Sequence, residues 1–393
     1  MSRTVLITFL GIKPQLTKYR FQDQVKEGEV FAKALHELIS FDQMLVCTTQ
    51  QAYDKTWQHI EALGDERITK IDIPDGRDTE EMWQIFERIL PHVQEKDEVI
   101  FDITHGLRSL PFLVFLFAAY LQFARQVKIK AIYYGALELK TDEGVAPVID
   151  LSNFVTMLDW LVATDQFIQT GNAQRLANLI NRKNKGVSKI SQKLAEISQA
   201  ALWCQPFKFM KSAGTINNIN LGGDRFEQTA SPFTILQERI ISTYTQFAGN
   251  PHNLNDLIKK EYQMIFWYFE KDQIIQAITL AREWLIDTIT WQLGYQVSLE
   301  RSARERVERG ISGVARIGRP DQSEEQLNEV GQQLINWQEK DKLVELWNTI
   351  SDVRNKFAHA EHQKEQIRLN TIKRKINKIK KELQDLGIHW ELV

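Results

Sequence analysis

Five short apolar runs punctuate the first 140 residues, and a segment of helical spacing separates each from the next. The runs are Val5–Leu10, Met44–Cys47, Ile68–Ile73, Glu98–Ile103 and Ile129–Tyr134; between them lie Glu29–Ser40, Ala52–Leu63, Thr79–Leu90 and Ser109–Ala124. A strand that is apolar along its length is buried on both faces. A strand–helix–strand beat makes neighbouring strands parallel, with helices over each face of the sheet. The N-terminal part is thereby constrained to an open, Rossmann-like parallel sheet. Residues 13–20 interrupt the first crossover as a small hairpin or loop. The run from Pro111 to Ala124 is too short to span a bilayer and is expected as a buried helix.

After Asp150 the strand pattern fades and helical spacing dominates: Asn153–Gln169, Ala173–Asn181, Phe233–Phe247, Leu254–Phe269, Ile274–Leu293, Glu325–Trp337, Lys342–Ala360 and Ile367–Leu386. Residues 207–225 carry Gly214, Gly222 and Gly223 among asparagines and read as an exposed insertion or hairpin. Residues 301–319 are Arg-rich and read as a helix followed by a loop. The expected fold class is α/β plus all-α, with a parallel-sheet domain over 1–150 and a helical region over 151–393.

Net charge is only -2, so any nucleic-acid contact must come from a local patch. Residues 364–382 supply one candidate, with eight Lys or Arg against two Glu. Ile367, Ile372, Ile376, Ile379 and Leu383 give the same segment an apolar stripe. It is either a solvated amphipathic helix or an RNA-guiding face. The two cysteines, Cys47 and Cys204, exclude a disulfide scaffold and a Cys-based zinc site and suit a reducing cytoplasm. No signal peptide or membrane span is read from the sequence. His92, Asp97, Glu98 and Asp102 do not make a convincing metal cluster, and no metal or cofactor is expected. Trp57, Trp83, Trp160, Trp203 and Trp337 read as core or interface residues rather than base-stacking platforms.

The C-terminal half contains Arg354-Asn355-Lys356-Phe357-Ala358-His359. Histidine moves a proton near neutral pH, and arginine holds a phosphate that gains negative charge. Metal-free RNA cleavage needs those two groups, because RNA brings its own 2′-hydroxyl nucleophile. On a helix, Leu343, Leu346, Trp347, Ile350, Arg354 and Phe357 fall on one stripe, which sets Arg354 where an apolar residue belongs. A buried guanidinium needs a carboxylate, a phosphate or a wet cleft. Glu345 and Asp352 are the acids within reach, and a helix-end role for His359 is the structural alternative. His359 lies roughly 140° around an ideal helix from Arg354. Either the helix distorts near Ala358, or the two groups converge through a neighbouring subunit.

In an open parallel sheet, ligands bind beyond the carboxyl ends of the strands. Three such ends stand out: Gly11-Ile12, Thr48-Thr49, and Thr104-His105-Gly106-Leu107-Arg108-Ser109. The last has small residues, hydroxyls and an arginine just ahead of a helix, which suits a phosphate. Dinucleotide and Walker-type glycine motifs are absent from the sequence.

Asp102-Ile103-Thr104-His105-Gly106-Leu107-Arg108-Ser109-Leu110-Pro111 resembles the signature loop of CARF domains in CRISPR-associated proteins that pair CARF with HEPN. Cys47-Thr48-Thr49-Gln50 fits the same pattern. Arg354-Asn355-Lys356-Phe357-Ala358-His359 resembles the Arg-x4–6-His motif of HEPN ribonucleases. The resemblance implies CARF over 1–150, a helical HEPN region over 151–393, and a homodimer, with higher oligomers also compatible. It implies that Arg354 and His359 are catalytic, with Asn355 a supporting polar group. Gly11, Ile12, Thr48, Thr49, Thr104, His105, Gly106, Arg108 and Ser109 would meet a cyclic oligoadenylate, cyclic tetra-adenylate first and cyclic hexa-adenylate next. The implied activity is ligand-activated, metal-independent cleavage of single-stranded RNA in type III CRISPR antiviral defence, in the cytoplasm. Stable binding to DNA is not expected. A non-catalytic sensor, and a ribonuclease whose CARF site also degrades its activator through Thr104 or His105, are the alternatives.

Overall fold

The computed structural model describes residues 2–106, 109–183, 189–216, 231–295, 301–317, 323–358 and 369–392. The chain divides into two compact units, Met1–Asp159 and Trp160–Val393.

The first unit is built on one sheet. Its strands are β1 (Thr4–Phe9), β2 (Thr17–Phe21), β3 (Gln24–Gly28), β4 (Gln43–Thr48), β5 (Ile68–Asp72), β6 (Glu98–Asp102), β7 (Lys128–Gly135) and β8 (Val145–Asp150), in the spatial order β3-β2-β8-β7-β6-β1-β4-β5. The run β5-β4-β1-β6-β7 is parallel throughout. Counted along the chain, those five strands stand in the 3-2-1-4-5 order of a doubly wound sheet, whose direction of winding reverses between β1 and β6. Side chains alternate across the sheet. Val5, Ile7, Phe9, Leu45, Val99 and Phe101 join one core, and Leu6, Leu10, Met44, Val46 and Ile100 join the other. Helices α4 (Thr79–Ile89) and α5 (Leu110–Ala124) close the first face; α1 (Phe31–Leu38), α2 (Gln50–Thr56) and α3 (Gln58–Glu61) close the second. Each large apolar side chain buried this way contributes about 1.5–3 kcal/mol.

Residues 13–20 do lead into a hairpin, β2 with β3. Strand β8 is not visible in the sequence pattern. It contains Pro147, and its two halves serve different neighbours: Val145–Pro147 pair with β2, and Val148–Asp150 pair with β7. The expectation that α5 is simply buried needs correction. Leu110, Val114, Phe117, Ala118 and Leu121 face the sheet, whereas Phe112, Leu116, Tyr120 and Phe123 are exposed. A helix that is apolar all round gives no sequence cue to which side is covered.

Helix α6 (Ser152–Thr170) starts in the first unit, and its residues from Trp160 onward belong to the second. The second unit continues with α7 (Gln174–Lys183), α8 (Lys189–Leu202), α9 (Pro206–Gly214), α10 (Ser231–Thr245), α11 (Leu254–Glu270), α12 (Ile274–Gln292), α13 (Arg301–Val314), α14 (Glu329–Ile335), α15 (Lys340–Ala358) and α16 (Leu369–His389). Trp284 is fully buried in its core, and its indole N–H donates to the Ile258 carbonyl at 3.1 Å. The stretch 207–225, expected as an exposed insertion or hairpin, instead begins as helix α9. Proline starts this helix, and Phe209, Met210 and Ala213 are its buried face; residues 217–225 lie outside the described residues. Gly310 and Gly313 sit inside helix α13 rather than in a loop. A Cβ on Gly310 would come within 2.6 Å of Val330, so glycine there permits the close approach of α14. No helix among the described residues is long and apolar enough to cross a membrane.

Candidate functional site

In a doubly wound sheet the winding reversal, here between β1 and β6, is where a ligand crevice forms beyond the carboxyl ends of the strands, and the sequence sets closely fitted small groups there. Gly11 lies so near His105 that a Cβ on it would be 3.2 Å from the histidine Cβ. Gly106 has φ +119, a backbone shape that L side chains rarely adopt. A Cβ there would also lie 2.7 Å from Leu110 Cδ2. Gly106→Ala is therefore expected to lower stability by about 1–3 kcal/mol, read as a lower urea midpoint at constant m-value.

Beneath the crevice, Asp102 is fully buried. It accepts hydrogen bonds from Thr8 Oγ1 at 2.5 Å and from the Thr104 backbone N–H at 2.8 Å. Burial raises its pKa, and these bonds and His105 act against the rise. The Thr104 hydroxyl accepts from the Gly135 N–H at 2.7 Å, fastening the loop to β7. His105 Nε2 accepts from the Phe31 N–H at 3.3 Å. Helix α1 has no side-chain cap of its own at Val30, so the imidazole satisfies one of its free N–H groups. That bond requires an unprotonated Nε2, which puts the proton of a neutral ring on Nδ1. Burial lowers the His105 pKa in the same sense, opposed by Asp102. His105 thus offers a ligand a donor and a shaped wall, and its acceptor nitrogen is already used.

The other expected ligand residues are unequal. Ile12 is exposed and Gly11 half-buried. Thr48 is 1% exposed, and its hydroxyl donates to the Thr49 carbonyl, leaving almost no surface for a ligand. Thr49 is the N-cap of α2, accepting from the Ala52 N–H at 3.3 Å. Ser109 is exposed ahead of α5 without capping it, and its hydroxyl approaches Met82 Sδ at 3.9 Å. Arg108 lies outside the described residues.

In the second unit, Leu343, Leu346, Trp347, Ile350 and Val353 bury one stripe of α15. The stripe passes through Val353, three residues after Ile350, and not through Arg354, four residues after it. A 3.6-residue period permits both, and the neighbouring helices decide. Arg354 is exposed, as is Asn355. The acids named as partners for Arg354 are engaged elsewhere: Asp352 with Lys356 and Lys375, Glu345 with Lys378. Arg354 has no ion pair among the described residues. His359 lies outside them, so its position relative to Arg354 is not described. On α16, Ile376, Ile379 and Leu383 of the expected stripe are buried and Ile372 is partly buried, with Leu386 added to the stripe; Ile367 lies outside the described residues.

Sequence reasoning missed a buried ionic cluster. Glu261 on α11 and Asp287 on α12 are 1% and 3% exposed. Arg304 on α13 bonds to Asp287 and, at 2.7 Å, to Glu283. Burial and the neighbouring Asp287 charge push the Glu261 pKa well above the usual carboxylate range, and a hydrogen bond between the two carboxyl groups adds to the rise. Its Oε2 has no hydrogen-bond partner among the described residues. Arg282 extends the chain of charges to Glu308 and stacks 4.9 Å over the Trp347 ring on α15. The available signal was a carboxylate at a core position of each helix: Glu261 follows Leu257 and Ile258 and precedes Met264 and Ile265, and Asp287 sits among Trp284, Leu285, Ile286 and Ile289. Among the described residues, no three His, Cys, Asp or Glu side chains group as metal ligands.

Residues 156–249 match the family described as CRISPR-associated protein MJ1674, second domain. The chain is 32% identical over 127 residues to CRISPR-associated protein MJ1674 of Methanocaldococcus jannaschii; the match covers 32% of this chain and 20% of that protein, about a fifth of its length. A solved structure described as Enterococcus italicus Csm6 bound to cyclic hexa-2'-fluoro-hexa-dAMP aligns over 100% of this chain and 95% of that one, with 11% identity and a TM-score of 0.45. The expected kinship with CRISPR-associated proteins is borne out by the family match and the M. jannaschii relative.

Proposed function

We propose that this chain, a CRISPR-associated protein of the CARF–HEPN group, is a homodimeric endoribonuclease of type III CRISPR defence that a cyclic oligoadenylate switches on. The observation that carries the cleavage half is Arg354: an exposed guanidinium with no acid beside it among the described residues, on a helix anchored by its opposite face. A cation carried on an anchored helix and not engaged by a carboxylate among the described residues is available to a scissile phosphate, whose charge grows in the transition state. His359 moves the protons, and Asn355 supports the site. The 2′-hydroxyl of the substrate attacks, so no metal-bound water is needed.

The sensing half rests on the β1/β6 crevice. Gly11 and Gly106 let His105 and Leu110 pack tightly against the loop backbone, His105 presents its Nδ1 proton, and the N-terminus of α5, which Ser109 does not cap, suits a phosphate. Arg108 adds a cation to that loop. The exposed residues Phe112, Leu116, Tyr120 and Phe123 recur at helical spacing along α5, which starts at this loop. A second copy covering that face would set two such loops beside one symmetric ring. Differential affinity of the ring for the active arrangement then drives activation.

The test is RNA cleavage in EDTA with cyclic tri-, tetra- and hexa-adenylate. Cyclic tetra-adenylate is expected to activate, with cyclic hexa-adenylate the second choice. Activity that depends on added divalent metal, or that ignores all three rings, counts against the reading. The bond that occupies His105 Nε2 weighs against activator destruction by a histidine base at this site.

A further inference from the structure

We propose that the groove between α8 and α9 binds single-stranded RNA away from the cleavage centre, with Trp203 stacked on a base and Lys208 and Lys211 holding its phosphates. The choice of RNA as the ligand rests on the ribonuclease reading; the site itself rests on the following geometry.

Trp203 was expected in a core or an interface rather than as a base-stacking platform; it is not in the core, its side chain being 64% exposed. It has no aromatic partner among the described residues. Its exposure is not a loose end. It stands at the corner where α8 turns into α9, and Cys204 takes φ +54 there. Three backbone bonds lock the corner: Trp203 N–H to Gln199 O at 2.9 Å, Cys204 N–H to Ala201 O at 3.1 Å, and Gln205 N–H to Ala200 O at 2.8 Å. The helices beneath are anchored by Ile197, Ala201, Phe209 and Met210, all buried. A large indole is thus held outward on a rigid support, which is what a stacking platform requires.

The groove has a volume of about 380 Å³, within the usual range of ligand sites. Apart from Trp203 and Ala200, every side chain lining it is polar, and Glu196 is its one acid. Lys208 and Lys211 are exposed, one helical turn apart, and neither has an ion pair among the described residues. Two lysines of the basic helix α16 differ: Lys375 is paired with Asp352, and Lys378 with Glu345 and Glu382. Beside the indole the lining carries two lysine ammonium groups, without ion pairs among the described residues, against one acid, a positive balance that suits a base and its phosphates.

The test is fluorescence anisotropy of an end-labelled oligouridylate with full-length protein in EDTA, all variants carrying Arg354→Ala so that RNA stays intact. Trp203→Ala is expected to weaken binding about 5- to 150-fold, the range for loss of one stacked base, while Trp203→Phe retains most of the affinity. Lys208→Gln with Lys211→Gln is expected to reduce the magnitude of the log–log salt slope by about 1.4, at about 0.7 per phosphate contact on a single strand. Unchanged affinity in Trp203→Ala, an equal loss in Trp203→Phe, or an unchanged salt slope in the lysine variant overturns the proposal. These readouts do not involve cleavage. A protein that never cuts RNA but shows them keeps this site, and one that cuts RNA without them loses it.

Discussion

Arg354→Ala is expected to slow RNA cleavage at least about 100-fold, the usual cost of deleting one preorganised donor to a developing charge. Its thermal midpoint should stay unchanged, because Arg354 is exposed and no ion pair of its side chain is found among the described residues. Arg354→Lys separates charge from geometry. It keeps the cation and loses the planar fork, so a partial rate with weakened phosphate binding is expected. Single-turnover rates with saturating activator, beside a melting curve for each variant, read both effects. A full rate in Arg354→Ala would remove this residue from the chemistry.

The largest effect on stability is expected at Arg304. Arg304→Ala leaves Asp287 3% exposed without its cation and should cost about 3 kcal/mol, measured by urea unfolding. Glu261→Gln should act in the opposite direction. The pKa of Glu261 is raised in the folded protein by burial and by Asp287. Below the carboxyl pKa of the unfolded chain, near pH 4, both states hold the proton. As pH rises from there toward the raised folded value, the unfolded chain releases its proton and the folded one keeps it, so stability falls. Glutamine keeps a donor toward Asp287 and cannot ionise. Its advantage over the native protein should therefore be small near pH 4 and grow as pH rises. A difference that does not change with pH would mean that Glu261 is ionised in the fold.

The parallel sheet was legible because its central strands β1, β4 and β6 are buried almost end to end and leave nearly unbroken apolar runs, and because ligand-binding crevices recur where the winding reverses. Strand β8 was hidden by Pro147 and by its division between two neighbours. Helix α9 was hidden by the glycines and asparagines that follow it, which drew its first turns into an apparent loop. At the site, the glycine positions were legible as small residues at strand ends. The employment of His105 as the cap of α1 was not, since it joins residues 74 apart in sequence. The stripe of α15 was misassigned by one position at Val353 because spacings of three and four both suit a helix. The Glu261–Asp287–Arg304 cluster escaped because its members lie on three different helices, and a carboxylate at a core position does not reveal its partner on another helix.

The most direct measurement is the chemistry of the RNA ends produced in EDTA with cyclic tetra-adenylate, determined by mass spectrometry. Attack by the substrate's own 2′-hydroxyl, with Arg354 on the phosphate and His359 moving protons, predicts 2′,3′-cyclic phosphate termini that disappear in His359→Ala. Products ending in a 3′-hydroxyl with a 5′-phosphate on the other fragment, or an undiminished yield from His359→Ala, would contradict it.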